Sequence, residues 1–310
     1  MAVARRRSRI ASPRWWARLA WGYGMASPWI IGFLVFTLGP MIASIYFSLT
    51  EYSVLQPAKF IGLANFTRMF TNDPRYLISI TNTVYYTVLQ VPLGIVVALT
   101  IAILLNQGLR GENLFRTAYY MPSVVSGVAV SMLWLWLFDP TLGLVNDLLG
   151  RIGITGPRWL QDPAWSKPAL VLMSVFGIGG TMVIFLAGLQ GISESLYEAA
   201  MVDGANWWQK TRHITIPMIT PTIFFNMVMG FIGSFQVFTQ AYVMTNGGPV
   251  NSTLFYVLYL YQNAFRFFKM GYASAMAWVL FFIVLALTLI QFRLAGRWVY
   301  YEAATPAGTL

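Results

Sequence analysis

Six apolar runs, each close to or above the length of a bilayer crossing, dictate what this chain can become. They lie near residues 26–49, 83–105, 119–138, 168–190, 218–244 and 274–292, and about 20 apolar residues of helix span the hydrocarbon core. Lipid offers no water to backbone N–H and C=O groups, so a crossing segment satisfies them internally. Long runs with charged flanks do not read as barrel strands. The expected fold is therefore an all-α membrane protein with six transmembrane helices. Pro122 and Gly127 interrupt the third run.

Charge supports this reading. Charged residues are 10% of the chain and hydrophobic ones 57%, with a mean hydropathy of +0.62, against about 25% charged in soluble proteins. The net charge of +10 would point to nucleic acid in a soluble protein. Here the basic residues flank apolar runs, so they report topology and no nucleic-acid partner is expected. Arg5, Arg6, Arg7, Arg9, Arg14, Arg18, Arg110, Arg116, Lys210, Arg212, Arg293 and Arg297 fall on one side, 12 of the 20 Lys and Arg residues. The other 8 are spread over longer loops. The positive-inside rule then puts both termini in the cytoplasm. The N-terminal arginines also fit a twin-arginine export signal, but the apolar run that follows is too long for one. Trp15, Trp16 and Trp21 among Arg14 and Arg18 fit an interfacial segment at the headgroups.

Little in the chain supports chemistry of its own. With no Cys and one His, His213, it has no ligand cluster at metal spacing. It has no G-x-x-x-x-G-K-[ST] phosphate loop and no plausible Ser/His/Asp set. Ionisable residues are nearly absent from the apolar runs, which argues against a proton relay or voltage sensor. What remains is a helical bundle with a polar segment of about 27 residues, 191–217, between the fourth and fifth runs. Ser195 and Glu198 have the spacing of a capping box, and Gly204 is a natural left-handed stop. From Gly191 to Gly204 a helix would measure about 20 Å at 1.5 Å per residue. Held between two spans, it would act as a lever driven by an energy source on another polypeptide.

The register Glu198-Ala199-Ala200, two residues, Asp203-Gly204-Ala205, then Ile214 and Pro217 resembles the EAA loop of membrane subunits of binding-protein-dependent ABC importers. The chain departs from that pattern at Thr211, where the family often has an aromatic; Trp207 and Trp208 are expected to fill the same pocket. Residues 60–66 (FIGLANF), 159–163 (WLQDP) and 245–249 (TNGGP) resemble the sugar-importing branch. The resemblance implies the type I importer permease fold, with a transporter core at 83–292 and the EAA coupling loop at 191–217. Around that core lie a basic segment at 1–25, a first span with external loop at 26–82, and a cytoplasmic tail at 293–310. It further implies a bacterial cytoplasmic membrane location and a second homologous permease subunit. Two cytoplasmic ATPase subunits would carry ATP and Mg and take the EAA helix in a cleft. An extracytoplasmic solute-binding protein would deliver the substrate. This chain itself would hold no cofactor and make no covalent bond. A sugar or oligosaccharide is the expected substrate, with glycerol phosphate or a related polyol as the alternative. The rival classes are an ATP-independent channel or secondary transporter, which leaves the lever unexplained, and a membrane-embedded enzyme, which lacks a carboxylate pair.

A substrate path is expected along the fifth run, where Asn226, Gly230, Gly233, Ser234 and Gln240 share a face. Gly177, Gly179 and Gly180 of the fourth run also fit that path. Amide and hydroxyl groups both donate and accept, as sugar hydroxyls require, and Phe231, Phe235 and Tyr242 are candidates to stack on a ring. Close helix packing accounts for the same small and polar residues. The external loop 139–167 holds short apolar helical pieces such as 144–149, suited either to touching the binding protein or to covering the bundle. Residues 246–249 form a turn at the outer mouth, and 303–310 read as a frayed end.

Overall fold

The computed structural model describes residues 13–108 and 110–300; Arg5, Arg6, Arg7, Arg9 and the end 303–310 lie outside them. The chain opens with α1 (Pro13–Phe33), passes through a π-turn at Leu34–Leu38 and continues as α2 (Gly39–Ser48). The helix runs unbroken from Pro13 into the apolar run. Its apolar stretch Ala20–Ser48 buries none of its own apolar window. It meets the body through α2, which packs on α16 and β1.

A hairpin follows, β1 (Thr50–Ser53) and β2 (Gln56–Phe60), antiparallel with Thr50 opposite Phe60. This corrects the all-α expectation: two strands of four and five residues are too short for their alternation to stand out. On α3 (Ala64–Thr71), the Asn65 amide donates to the Ser48 and Thr50 carbonyls, both at 2.9 Å. That fixes the hairpin to the end of α2.

The second span, α4 (Pro74–Leu105), starts nine residues before the apolar run does. Asp73 caps it, its Oδ1 accepting from the N–H of Arg75 at 3.1 Å and Tyr76 at 3.2 Å, with Pro74 preset at the first helical turn. Hydropathy misses this stretch because Ser79 and Asn82 are buried but bonded within the protein. Asp73 Oδ2 also accepts from the hydroxyls of Tyr259 at 2.6 Å and Tyr272 at 2.5 Å.

The third run is not one helix. It forms α5 (Glu112–Val124) and α6 (Gly127–Leu137), bent by 100°, because Val125 and Ser126 are extended (ψ 139 and 133) beyond Pro122. After α7 (Leu144–Arg151), the fourth run is likewise two pieces, α8 (Pro163–Phe176) and α9 (Gly179–Gln190), bent by 48°. The bend places Gly179 on the α5 backbone. A Cβ there would collide with the Tyr119 carbonyl and lie 2.8 Å from Tyr120 Cα. Gly179→Val is expected to lower stability by about 1–3 kcal/mol through overpacking, whereas Gly180→Ala, which meets nothing within 4 Å, is expected to be near neutral. Thermal unfolding of the purified variants tests the contrast.

Three short helices, α10 (Glu194–Val202), α11 (Trp207–Lys210) and α12 (Ile216–Met218), lead into α13 (Thr220–Phe235). The chain then forms α14 (Thr239–Met244), α15 (Tyr256–Tyr261) and the last span α16 (Met270–Ala295). Against α2, Gly271 lets α16 approach the Thr50 and Phe47 carbonyls, and Trp278 Nε1 donates to Ser44 Oγ at 3.0 Å. The interior has two main apolar clusters. One gathers around Tyr76, Phe138, Phe255 and Met276. The other, around Ala102, Phe185, Leu189 and Ile219, takes Tyr197 and Ile214 against it.

Candidate functional site

The helix between the fourth and fifth runs is shorter than its sequence implies. α10 has nine residues, about 14 Å at 1.5 Å per residue, against the 20 Å expected. The proposed capping box at Ser195 and Glu198 is absent. Ser193 is the N-cap, with ψ 130 and no side-chain cap, and its hydroxyl bonds that of Ser195 at 2.8 Å. The helix thus begins two residues earlier than the S-x-x-E spacing implies, and Glu198 falls in its interior. A capping box does form after the turn, where Asn206 and Gln209 bond each other's backbone N–H at 2.8 and 2.9 Å.

At its far end, Gly204 takes the left-handed conformation, φ +77. The Ala205 N–H reaches the Ala200 carbonyl at 2.9 Å and the Gly204 N–H reaches Met201 at 3.0 Å, the paired bonds of a Schellman stop. Glu198, Ala199, Asp203 and Gly204 are exposed, Ala200 and Ala205 half-buried. No residue of α10 is buried, and Met201 and Val202 are 56% and 89% exposed.

The return leg tightens against the spans. Tyr197 Oη and Thr215 Oγ1 are 3.0 Å apart, tying α10 to the π-turn at Thr211–Thr215. Ile214 packs on the cluster of Leu189, Ile192 and Ile219. Trp207 and Trp208 fill no pocket at Thr211; they are 51% and 60% exposed, while Thr211 is buried and donates to the Trp207 carbonyl at 2.9 Å. Pro217 and Pro221, four residues apart, then mark the joint with α13. Tyr197 and Thr215 carried no sequence signal, because their link spans 18 residues.

A cavity of about 500 Å³ opens where three helix breaks converge: the α5–α6 bend, the α8–α9 bend and the gap between α13 and α14. Gly177, Gly230, Gly233, Ser234 and Gln240 line it. Asn226 does not: it is buried, and its amide donates to the Thr222 carbonyl at 2.9 Å, a packing role. Gly180 is also outside. Of the aromatics, Phe231, Phe235 and Tyr242 stay off the lining; Phe238 takes the place, stacked on Tyr242 at 5.3 Å. Sequence reasoning missed Tyr86, Gln90, Ser123, Ser174 and Gln236. Gln90, a lone amide in an apolar run two residues before Pro92, was the available signal. Among the described residues, no charged side chain lines the cavity.

A second cleft of about 530 Å³ gathers Asp139 and Gln161 with Thr245, Gly248 and Pro249. The N–H groups of Leu142 and Thr141 and the Thr141 hydroxyl, at 2.8–2.9 Å, hold the Asp139 carboxyl below the usual carboxylate range. The turn beside it runs through left-handed Asn246, Gly247, Val250 and Asn251. Asn82 pins the turn, its amide donating to the Asn251 carbonyl at 2.8 Å while its oxygen accepts from Lys167 at 3.0 Å.

Bent helices around an uncharged cavity, with an exposed helix slung between two of them, define a membrane-embedded transport subunit. Residues 90–299 match the binding-protein-dependent transport system inner membrane component family, and the chain belongs to it. The chain is 47% identical over 286 residues to the probable ABC transporter permease protein YesP of Bacillus subtilis (strain 168), covering 91% of this chain and 92% of that one. It is 38% identical over 281 residues to the lactose transport system permease protein LacF of Rhizobium radiobacter, covering 88% and 93%. Its fold matches a chain in the crystal structure of a bacterial ABC transporter involved in the import of the acidic polysaccharide alginate, with a TM-score of 0.81, 26% identity and coverage of 92% and 99%. The protein is thus a multi-pass permease component of a binding-protein-dependent importer in a bacterial inner membrane.

Proposed function

We propose that the chain is one of two homologous permease subunits of an ATP-driven importer of a neutral sugar or oligosaccharide. Each bent helix pair counts as one crossing, giving six, and both termini face the cytoplasm. The observation that carries this reading is α10, a helix with no buried residue between two spans. Two cytoplasmic ATPase subunits hold ATP and Mg, and one receives α10 in a cleft. Glu198 and Asp203 offer carboxylates to Arg or Lys there, Ala199 and Ala200 allow close approach, and Gly204 turns the chain back. Ala205, Ile214 and Pro217 carry the motion to α13. A channel or secondary transporter would leave that surface without a task.

Sugar is supported by the amide and hydroxyl lining of the cavity and by the lactose relative. Glycerol phosphate would call for Arg or Lys around a phosphate, and among the described residues none lines this cavity. The cleft at Asp139 and Gln161 suits contact with a solute-binding protein. The exposed apolar residues Met121, Val124 and Met132 on α5 and α6 suit the second permease.

The test is uptake by proteoliposomes holding both permeases and the ATPases, with the binding protein outside and ATP inside. Radiolabelled lactose and glycerol 3-phosphate are compared. Uptake of lactose only with trapped ATP is expected; ATP-independent flux would refute the reading. Gly233 lines the cavity and a Cβ there meets nothing within 4 Å, so Gly233→Phe is expected to fill the path. Uptake should fall at least tenfold with assembly intact, as judged by co-purification of the ATPases.

A further inference from the structure

The joint between the lever and the fifth span has a third tether. In a continuous helix the residue 221 N–H would bond the carbonyl of Pro217, four residues back, but Pro221 has no N–H. Thr220 Oγ1 donates to that carbonyl instead, at 2.7 Å. The same oxygen accepts from the backbone N–H of Tyr300 at 2.9 Å. Thr220 is buried, and both roles of its hydroxyl are in use.

Tyr300 lies beyond α16, where the chain folds back on α13. Val299 packs on the cluster of Phe224, Val228 and Ala295. The Trp298 ring meets Phe224 edge-on at 6.1 Å, and Phe224 in turn meets Phe292 at 5.1 Å. Residues 296–300 thus connect the end of the last span to the carbonyl of Pro217, the last residue of the coupling motif.

We propose that Thr220 is a positioning residue for transport, which makes the C-terminal return move with the lever joint so that motion of α10 reaches α13 and α16 together. This rests on the coupling role proposed for α10. A Thr220 that merely capped a helix would need only the Pro217 bond. The second bond, made across 80 residues of sequence, ties the joint to another span.

The experiment uses the complete importer in proteoliposomes and compares Thr220→Val, Thr220→Ser and Tyr300→Pro. The valine keeps the shape and loses the hydroxyl; the serine keeps it; Tyr300→Pro removes the N–H donor together with the half-exposed phenol and fixes φ, and Tyr300→Ala, which loses the ring but keeps the N–H, is its control. Thr220→Val and Tyr300→Pro are expected to raise ATP consumed per sugar moved at least fivefold. Amide exchange at Tyr300 in Thr220→Val should accelerate more than tenfold. Thr220→Ser should restore wild-type values. Should Thr220→Val fail to assemble, Tyr300→Pro read against Tyr300→Ala decides, since Thr220 and Pro217 stay intact in both. Wild-type stoichiometry in Tyr300→Pro overturns the tether. If Gly204→Val uncouples the importer while Tyr300→Pro does not, only the tether fails. If neither uncouples it, the coupling role of α10 fails as well.

Discussion

Gly204→Val is expected to lower ATP-driven uptake at least tenfold while leaving the helical bundle folded. The argument is conformational, since a Cβ at Gly204 meets nothing within 4 Å. The obstacle is φ +77, which costs an ordinary residue about 1–2 kcal/mol and a β-branched one more. Valine would relieve that cost by abandoning the left-handed turn, and the bonds from Ala205 and Gly204 back to Ala200 and Met201 would go with it. The end of α10 would then unwind, and the return through Asn206 would leave the surface at a different angle. Asparagine tolerates the left-handed region, so Gly204→Asn should keep most activity, with alanine in between. The graded order Gly, Asn, Ala, Val in uptake, at equal amounts of co-purified ATPase, is the signature. Equal transport by valine and asparagine would show that the turn does not carry the coupling.

Asp73→Ala should destabilise the subunit the most of any single side-chain removal proposed here. One carboxylate caps α4 through two backbone N–H groups and receives the Tyr259 and Tyr272 hydroxyls. Alanine strips a partner from both phenols, and each buried polar group left unsatisfied costs about 1–3 kcal/mol; loss of the cap adds about 1 kcal/mol. Asn keeps the shape and one acceptor, so it should recover part of the loss. Thermal unfolding of the purified subunit in detergent checks the order wild type, Asn, Ala. An alanine variant as stable as wild type would exclude this knot as the fastening of α4, α15 and α16.

The knot also has an alkaline limit. Burial first, and then the bond to Asp73, pushes the Tyr259 phenol from 10.0 up to about 12. A raised folded value favours the protonated phenol, so its contribution to stability is whole below pH 10 and is lost as pH rises through about 12. In Asp73→Ala the folded value falls toward 10.0, so the loss should begin at the same pH, end lower and be smaller, though burial, the larger cause, remains.

The apolar runs and the exposed helix between the fourth and fifth of them were legible because hydrophobicity and the EAA register are local. What escaped depends on distant partners. The first nine residues of α4 look too polar for a span until Asn82 is seen bonded to carbonyls about 170 residues away. Pro122 and Gly127 announced an interruption, but only the extended backbone at Val125 and Ser126 turns it into a bend of 100°. The cavity follows from that bend. Helical periodicity put Gly230, Gly233, Ser234 and Gln240 on one face of the fifth run, and all four line the cavity. It could not show that Asn226 turns back to Thr222, or that Gln90 and Ser123 complete the wall from other helices. The capping box was mislocated because Ser-x-x-Glu and Asn-x-x-Gln both satisfy the pattern, and only the second sits where the chain enters a helix.

The opening helix leaves its apolar window uncovered by the rest of the described chain, so before Gly39 only lipid or a partner subunit constrains its side chains. Past Gly39, where Ser44 and Phe47 meet the last helix, the spelling matters again.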